Sequence, residues 1–176
     1  MSLSIEVIVS EAMPGSMLRG ICDLCTEAYG EDFSVYLEFL GSGVHVISRL
    51  DGAIVSHAMW VARMLESGGR SALRTAYVEA VATKPSHQRQ GYASAILSRL
   101  AAEIRDYDLG ALSPSNPAFY ARLGWEPWRG RLFIRTDNGL EPTPDESVMI
   151  LRLPRTPADL DLNADLSAEW RPGELW

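Results

Sequence analysis

Apolar and polar positions first alternate in Ser4-Ile5-Glu6-Val7-Ile8-Val9, the two-residue period of a strand. Pro14-Gly15 breaks that pattern, and Ser16 is placed to cap a helix. Leu18, Ile21, Cys22, Cys25, Ala28 and Tyr29 then recur at helical spacing until Gly30-Glu31-Asp32-Phe33 ends the run, and a short helical piece covers Val35 to Leu40. After Gly41-Ser42-Gly43 a strand from Val44 to Arg49 meets the hairpin signal Asp51-Gly52 and returns from Ala53 to about Leu65. Ser67-Gly68-Gly69-Arg70-Ser71 makes the next turn, and Leu73 to Thr83 is a further strand.

The period then changes. Gly91 to Tyr107 is amphipathic at helical spacing, with Ala93, Ile96, Leu97, Leu100 and Ile104 on one face. Leu109-Gly110-Ala111-Leu112 is a short apolar strand, and Pro117 to Leu123 a short helix closed by Gly124. Arg129 to Thr136 and Ser147 to Leu153 read as two more strands. The order is β-α-(α)-β-β-β-α-β-α-β-β, an α/β chain with a mixed sheet. The Asp- and Pro-rich segment after about residue 154 reads as irregular. Its tryptophans, Trp170 and Trp176, predict that it packs back onto the domain.

Composition narrows the class. The 176 residues suit one domain with a full core, and 47% hydrophobic with 22% charged residues excludes disordered and fibrous chains. No apolar run nears the ~20 residues of a membrane-spanning helix, and MSLSIEVIVSEAMPG does not read as a signal peptide. Two cysteines cannot make a disulfide scaffold, so a reducing cytoplasm is expected. The net charge is −7, and residues 137–176 carry nine acids against three arginines. Such a chain disfavours nucleic acid and suits a cationic ligand, although solvated surface acid explains the same charge.

The stretch Tyr77 to Ala93, YVEAVATKPSHQRQGYA, carries the chemistry. A strand enters a loop that opens a helix, and Gln88-Arg89-Gln90-Gly91-Tyr92-Ala93 fits Q/R-x-x-G-x-G/A. N–H groups at a helix start, aided by the dipole, favour an anion. Gly91 permits close approach, Ala93 leaves room for a phosphate, and Arg89 and the chain's single lysine, Lys84, add positive charge. Tyr120-Ala121-Arg122-Leu123-Gly124-Trp125 follows as Y-x-x-x-G-[FW]. Glu79 stands in an apolar strand, where a carboxylate is costly to bury without a partner or a function.

Together these segments resemble the GNAT superfamily of acetyl-CoA-dependent N-acetyltransferases, whose fold has this strand order. Within it, YVEAVA at 77–82, GALS at 110–113, GWEPWRG at 124–130 and the terminus WRPGELW resemble the aminoglycoside 2'-N-acetyltransferases, over nearly all of 30–176. The resemblance implies a homodimer and an acetyl-CoA co-substrate. Val81, Ala82 and Thr83 would pair with the pantetheine arm and offer N–H to the thioester oxygen. Gln88, Arg89, Gln90, Gly91, Tyr92 and Ala93 would hold the pyrophosphate, and Tyr120 would face the sulfur. Glu79 would lie near the acceptor amine, with Asp32, Ser113, Glu146, Glu174 and the terminal carboxylate of Trp176 lining an acidic pocket for a polycationic sugar.

Two departures bear on the acceptor. SPSNPAFY at 113–120 is shorter than the family pattern and carries two prolines. DFSVYLEFLGSGVH at 32–45 has Val35, Tyr36 and Leu37 where further aspartates are expected. A pocket less acidic on one side suits a substrate with few amines or its own carboxylate, such as kasugamycin. Acetylation of another amine (a polyamine, amino sugar or peptide N-terminus) is the alternative, and an idle binding domain a third. Cys22 and Cys25 read as buried thiols, and His45, His57 and His87 have no metal-ligand spacing. Asn116 reads as a helix cap that could also touch the pantetheine arm. Trp125 and Trp128 read as core.

Overall fold

The computed structural model describes residues 2–176, which form two compact units. Met1–Val61 with Val78–Glu103 make the first, and Ala62–Tyr77 with Ile104–Trp176 the second.

In the first unit β1 (Leu3–Val9) pairs antiparallel with β2 (Val44–Leu50), which pairs antiparallel with β3 (Ala53–Ser67). The hairpin turn is where Asp51-Gly52 predicts it, with both residues at positive φ, 48° and 87°. β4 (Leu73–Thr83) lies beside β3. Helix α1 (Gly15–Tyr29) starts after Pro14 with no side-chain cap, so Ser16 does not serve as one. It buries Ile21, Leu24 and Cys25, while Leu18 and Tyr29 stay exposed. Cys25 is an inert thiol pushed up to about 12 by burial, whereas Cys22 is only half-buried. α2 spans Ser34–Leu40. α3 (Tyr92–Glu103) buries Ile96, Leu97 and Leu100, and packs on β2. It stops before the expected Tyr107.

In the second unit the first part of β4 runs parallel to β5 (Leu109–Leu112), which pairs antiparallel with β9 (Met149–Arg152) and, through it, β6 (Glu126–Pro127). The far part of β3 pairs antiparallel with β10 (Leu166–Glu169). β10 runs parallel to β7 (Leu132–Thr136), which pairs antiparallel with β8 (Gly139–Pro142). Parallel and antiparallel pairing together make the mixed α/β class predicted above. β6, β8 and β10 were not anticipated.

The C-terminal segment is thus not irregular throughout. Residues 129 and 130, expected in a strand, instead donate their N–H groups to Leu162 O. A Cβ at Gly130 would collide with the carbonyl of Ala164, so only glycine lets that segment approach so closely. Trp128 donates its indole N–H to Ala164 O over 2.8 Å. Trp125, Trp128 and Trp176 are buried, but the Trp170 side chain is 59% exposed, and its backbone N–H bonds Arg135 O.

Candidate active site

In the first unit the chemistry collects on β4 at 79–83. Glu79 is only 7% exposed, and Tyr36 of α2 donates its hydroxyl to Oε2 over 2.9 Å. That bond answers part of the desolvation cost of the carboxylate. Tyr36 is aligned by Phe33 (centroids 4.6 Å apart), which stacks on Tyr29 at 4.9 Å. The next residue, Ala80, has φ of 51°. A left-handed non-glycine inside a strand is a strained, bulge-like position.

Three consecutive carbonyls follow, each accepting from a side chain. His57 Nδ1 donates to Ala80 O at 2.9 Å, the Tyr29 hydroxyl to Val81 O at 2.8 Å, and Ser56 Oγ to Ala82 O at 2.9 Å. Ser56 Oγ is also 2.8 Å from the Thr83 hydroxyl. His57 Nε2 is 2.9 Å from His45 Nδ1. Burial, and for His57 the neighbouring ring, pushes the two pKa values down to about 3 for His57 and about 4 for His45, so both are neutral at pH 7.

The loop after β4 is the candidate anion site. Arg89 and Gly91 both adopt left-handed φ, 61° and 89°, and α3 begins at Tyr92. Gln88 donates its side-chain amide to Thr83 O and Gln90 to Ser86 O, so these side chains brace the loop. A Cβ at Gly91 would meet no atom within 4 Å, so the space beside the helix start is open. Open space, outward N–H groups and the dipole of α3 fit a pyrophosphate. Gln88 to Gly91 are exposed, Tyr92 and Ala93 half-buried. Asp32 is exposed in the turn before α2. Its Oδ1 accepts the Ser34 N–H at 3.0 Å and hydroxyl at 2.7 Å, which holds its pKa below the ordinary value.

In the second unit Asn116 caps α4 (Pro117–Ala121), its Oδ1 accepting the Phe119 N–H at 3.2 Å. Tyr120 is buried edge-on against Phe119 and Trp125. Burial pushes its phenol up to about 12, which keeps it a proton donor at neutral pH. Arg63, 2% exposed on β3, donates to Leu175 O and Glu169 O at 2.8 Å each, and its guanidinium lies 4.8 Å from the Tyr77 ring centre. Trp176, 3% exposed, donates its indole N–H to Thr143 Oγ1 at 2.8 Å, while the Glu146 N–H reaches Thr143 O. Trp176 and the backbone of Glu146 thus both bond to Thr143. Glu174 and Ser113 are exposed, and the Glu174 carbonyl accepts from Arg171. Tyr29, Tyr36, Ser56, His57 and Arg63 were not among the residues picked from the sequence. Among the described residues no three His, Cys, Asp or Glu cluster to hold a metal, and no helix is long and apolar enough to cross a membrane.

The acetyltransferase (GNAT) domain family matches residues 18–128. A curated protein of Mycolicibacterium fortuitum, named aminoglycoside 2'-N-acetyltransferase, is 36% identical over 165 residues, which cover 90% of this chain and 84% of that protein. Among solved structures, the Escherichia coli GNAT family N-acetyltransferase YhbS in complex with CoA aligns with a TM-score of 0.63 at 17% identity, covering 96% of this chain and 91% of that one. The E. coli ribosomal-protein-S18-alanine N-acetyltransferase aligns with a TM-score of 0.58 at 20% identity, covering 89% and 99%. At these identities the two structures speak for the fold.

Proposed function

The chain belongs to the GNAT acetyltransferase family, as an N-acetyltransferase that uses acetyl-CoA, and from that premise we propose that it acetylates an amine of a small aminoglycoside. The observation that carries the chemistry is Glu79, a carboxylate buried in an apolar strand, held by Tyr36 and followed by the strained Ala80.

Acetyl-CoA supplies an activated acyl group as a thioester. The residues 88–93 and the α3 start hold its pyrophosphate, and the backbone of Val81, Ala82 and Thr83 runs beside its pantetheine arm, with Asn116 near it. An ammonium group cannot attack, so Glu79, directly or through a water, takes a proton from the amine. The Val81 N–H faces the acyl oxygen, where donors aimed at developing charge have most effect. The neutral nitrogen bonds to the acyl carbon and the C–S bond breaks. Tyr120, buried and protonated at neutral pH, gives its proton to the departing sulfur, and the proton that the nitrogen sheds as the amide forms returns to the Tyr120 oxygen. Holding amine and thioester together lowers the remaining barrier. The chain works as one catalytic domain, because each compact unit is assembled from two separate stretches of chain.

The acceptor assignment draws on the name of the M. fortuitum relative and on the acids Asp32, Glu146, Glu174 and the Trp176 carboxylate, which with Ser113 are the residues that the sequence resemblance assigns to the sugar. The breadth is narrowed by α2. It offers a phenol to Glu79, and its Val35 and Phe39 are exposed apolar surface rather than carboxylates. Glu38 is the one carboxylate of this helix, so extra ammonium groups find little counter-charge there, and a sugar with few amines, kasugamycin among them, is preferred over kanamycin-like substrates. Thiol release from acetyl-CoA with a panel of antibiotics and simple amines tests this. Release with kasugamycin at the highest kcat/KM supports the reading. Release only with polyamines or peptides overturns the acceptor class, and efficient turnover of many-amine aminoglycosides with kasugamycin untouched overturns the narrowing.

A further inference from the structure

The carbonyls of Ala80, Val81 and Ala82 are held by His57, Tyr29 and Ser56, which come from β3 and the end of α1. In a trans peptide the carbonyl of one residue and the N–H of the next share a plane and point in opposite directions. A side chain that holds the carbonyl of Ala80 therefore aims the N–H of Val81. Ser56 in the same way aims the N–H of Thr83, on the same edge of the strand, and Tyr29 fixes the peptide plane between them, whose N–H (Ala82) faces β3 as that of Lys84 does. We infer that His57, Tyr29 and Ser56 are positioning residues of the acyl transfer, which fix the peptide planes of 80–83 and so aim the N–H groups of Val81 and Thr83, with His57 directing that of Val81. The inference rests on the proposed reading that those donors meet the thioester and arm of acetyl-CoA.

His57 matters most because Ala80 is the strained residue, and strained backbone persists only where its surroundings hold it. With both rings neutral, the Ala80 carbonyl fixes the two histidine tautomers. A carbonyl only accepts, so His57 Nδ1 carries the hydrogen and Nε2 accepts from His45 Nδ1. His45 Nε2, left without a hydrogen, then accepts the Ser10 hydroxyl at 3.0 Å in competition with Gly43 O at 3.1 Å, and the Ser10 oxygen accepts the Gly43 N–H at 2.9 Å. The chain ends on a carbonyl, which passes no proton onward. It is a strut that fixes a peptide plane, not a proton wire.

The amide nitrogen of asparagine falls near the place of Nδ1, and that of glutamine near Nε2. His57→Asn keeps a donor for the Ala80 carbonyl, and His57→Gln loses it, while both remove the ring. A packing role would lower the two variants alike. The expected result is a kcat lower by roughly ten- to a hundredfold in His57→Gln, with most of it restored in His57→Asn and the acceptor KM little changed, as misplaced donors should give. Amide NMR of the unaltered protein supplies the second readout. The Val81 and Thr83 resonances should shift on adding acetyl-CoA, and the Val81 response should be altered in His57→Gln. Amides that ignore acetyl-CoA in the unaltered protein overturn the reading of these donors, and the inference with it. Amides that respond, with asparagine and glutamine variants equally active, overturn the inference alone. Tyr29→Phe guards against variants that do not fold, because Tyr29 is 44% exposed. It should lower kcat by up to about tenfold and alter the Thr83 response, and an unaltered kcat and Thr83 response would overturn the inference.

Discussion

The loop at 84–93 and the strand segment at 79–83 adjoin in the chain, yet they hold backbone donors by opposite means. The loop is largely exposed and braced by its own neighbours. Gln88 reaches Thr83 and Gln90 reaches Ser86, while Arg89 and Gly91 take left-handed φ. The strand segment is mostly buried, and its carbonyls are held by residues 23, 26 and 52 positions away. An anion cradle is specified locally, by residue type and spacing, whereas donors aimed from within a sheet are specified by topology. The loop should therefore govern how tightly CoA is held, and the strand how fast the acyl group moves.

The largest expected effect falls on the loop. Gly91→Asp adds a side chain and a negative charge in the open space beside the α3 start, at a φ of 89°. CoA binding should be lost while the fold persists, since the strain of a left-handed non-glycine is only about 1–2 kcal/mol. Calorimetry on the folded variant checks this, and unchanged CoA affinity would remove the loop from the site.

The strand should show the reverse signature. Glu79→Gln keeps the size of the side chain and a partner for Tyr36 but removes the base, so kcat should fall by roughly 10²–10⁴ with CoA affinity unchanged. Tyr120→Phe should cost roughly 10²–10³ in kcat, again without weakening CoA. Steady-state kinetics beside CoA calorimetry reads both. Loss of CoA binding in Glu79→Gln would erase the division of labour between loop and strand.

The same contrast explains what was legible in the sequence. The limits of β4 were readable because Leu73–Thr83 is an apolar run between turn signals, and α3 because its apolar face repeats over three turns. Asn116 was readable as a cap from its place before Pro117. β10 was not, since Leu166–Glu169 has four residues and becomes a strand only between β3 and β7. Tyr36 read as part of an apolar stretch, and its hydroxyl finds a use only once α2 lies near Glu79. Two signals were available. Counting back from the Asp51-Gly52 turn brings His45 diagonally near His57, because Ile47 pairs with His57 in the register. The reasoning that singles out Glu79 applies equally to Arg63 between Ala62 and Met64, and it leads to the C-terminal segment through Leu175 and Glu169.

The smallest effect expected is one of pH on stability, and it separates the strand from the loop. His45 and His57 titrate near 4 and 3 in the folded chain because burial disfavours their charged forms, against an ordinary value of 6.5. Below pH 6.5 the unfolded chain takes up protons at these rings that the folded chain refuses, so acid favours unfolding. Their neutral, buried state costs nothing above about pH 6.5. As the pH falls from there toward 4, stability should drop by up to about 1.4 kcal/mol per pH unit for each ring. A double variant, His45→Gln with His57→Asn, lacks both rings. It should begin less stable at pH 7 yet lose stability less steeply toward pH 5, because every other titrating group is shared. Urea unfolding at the two pH values reads the difference in slope. Parallel slopes would mean that the two rings take up protons in the folded chain as they do in the unfolded one, and the strut at Ala80 would then have to persist with a charged histidine on it.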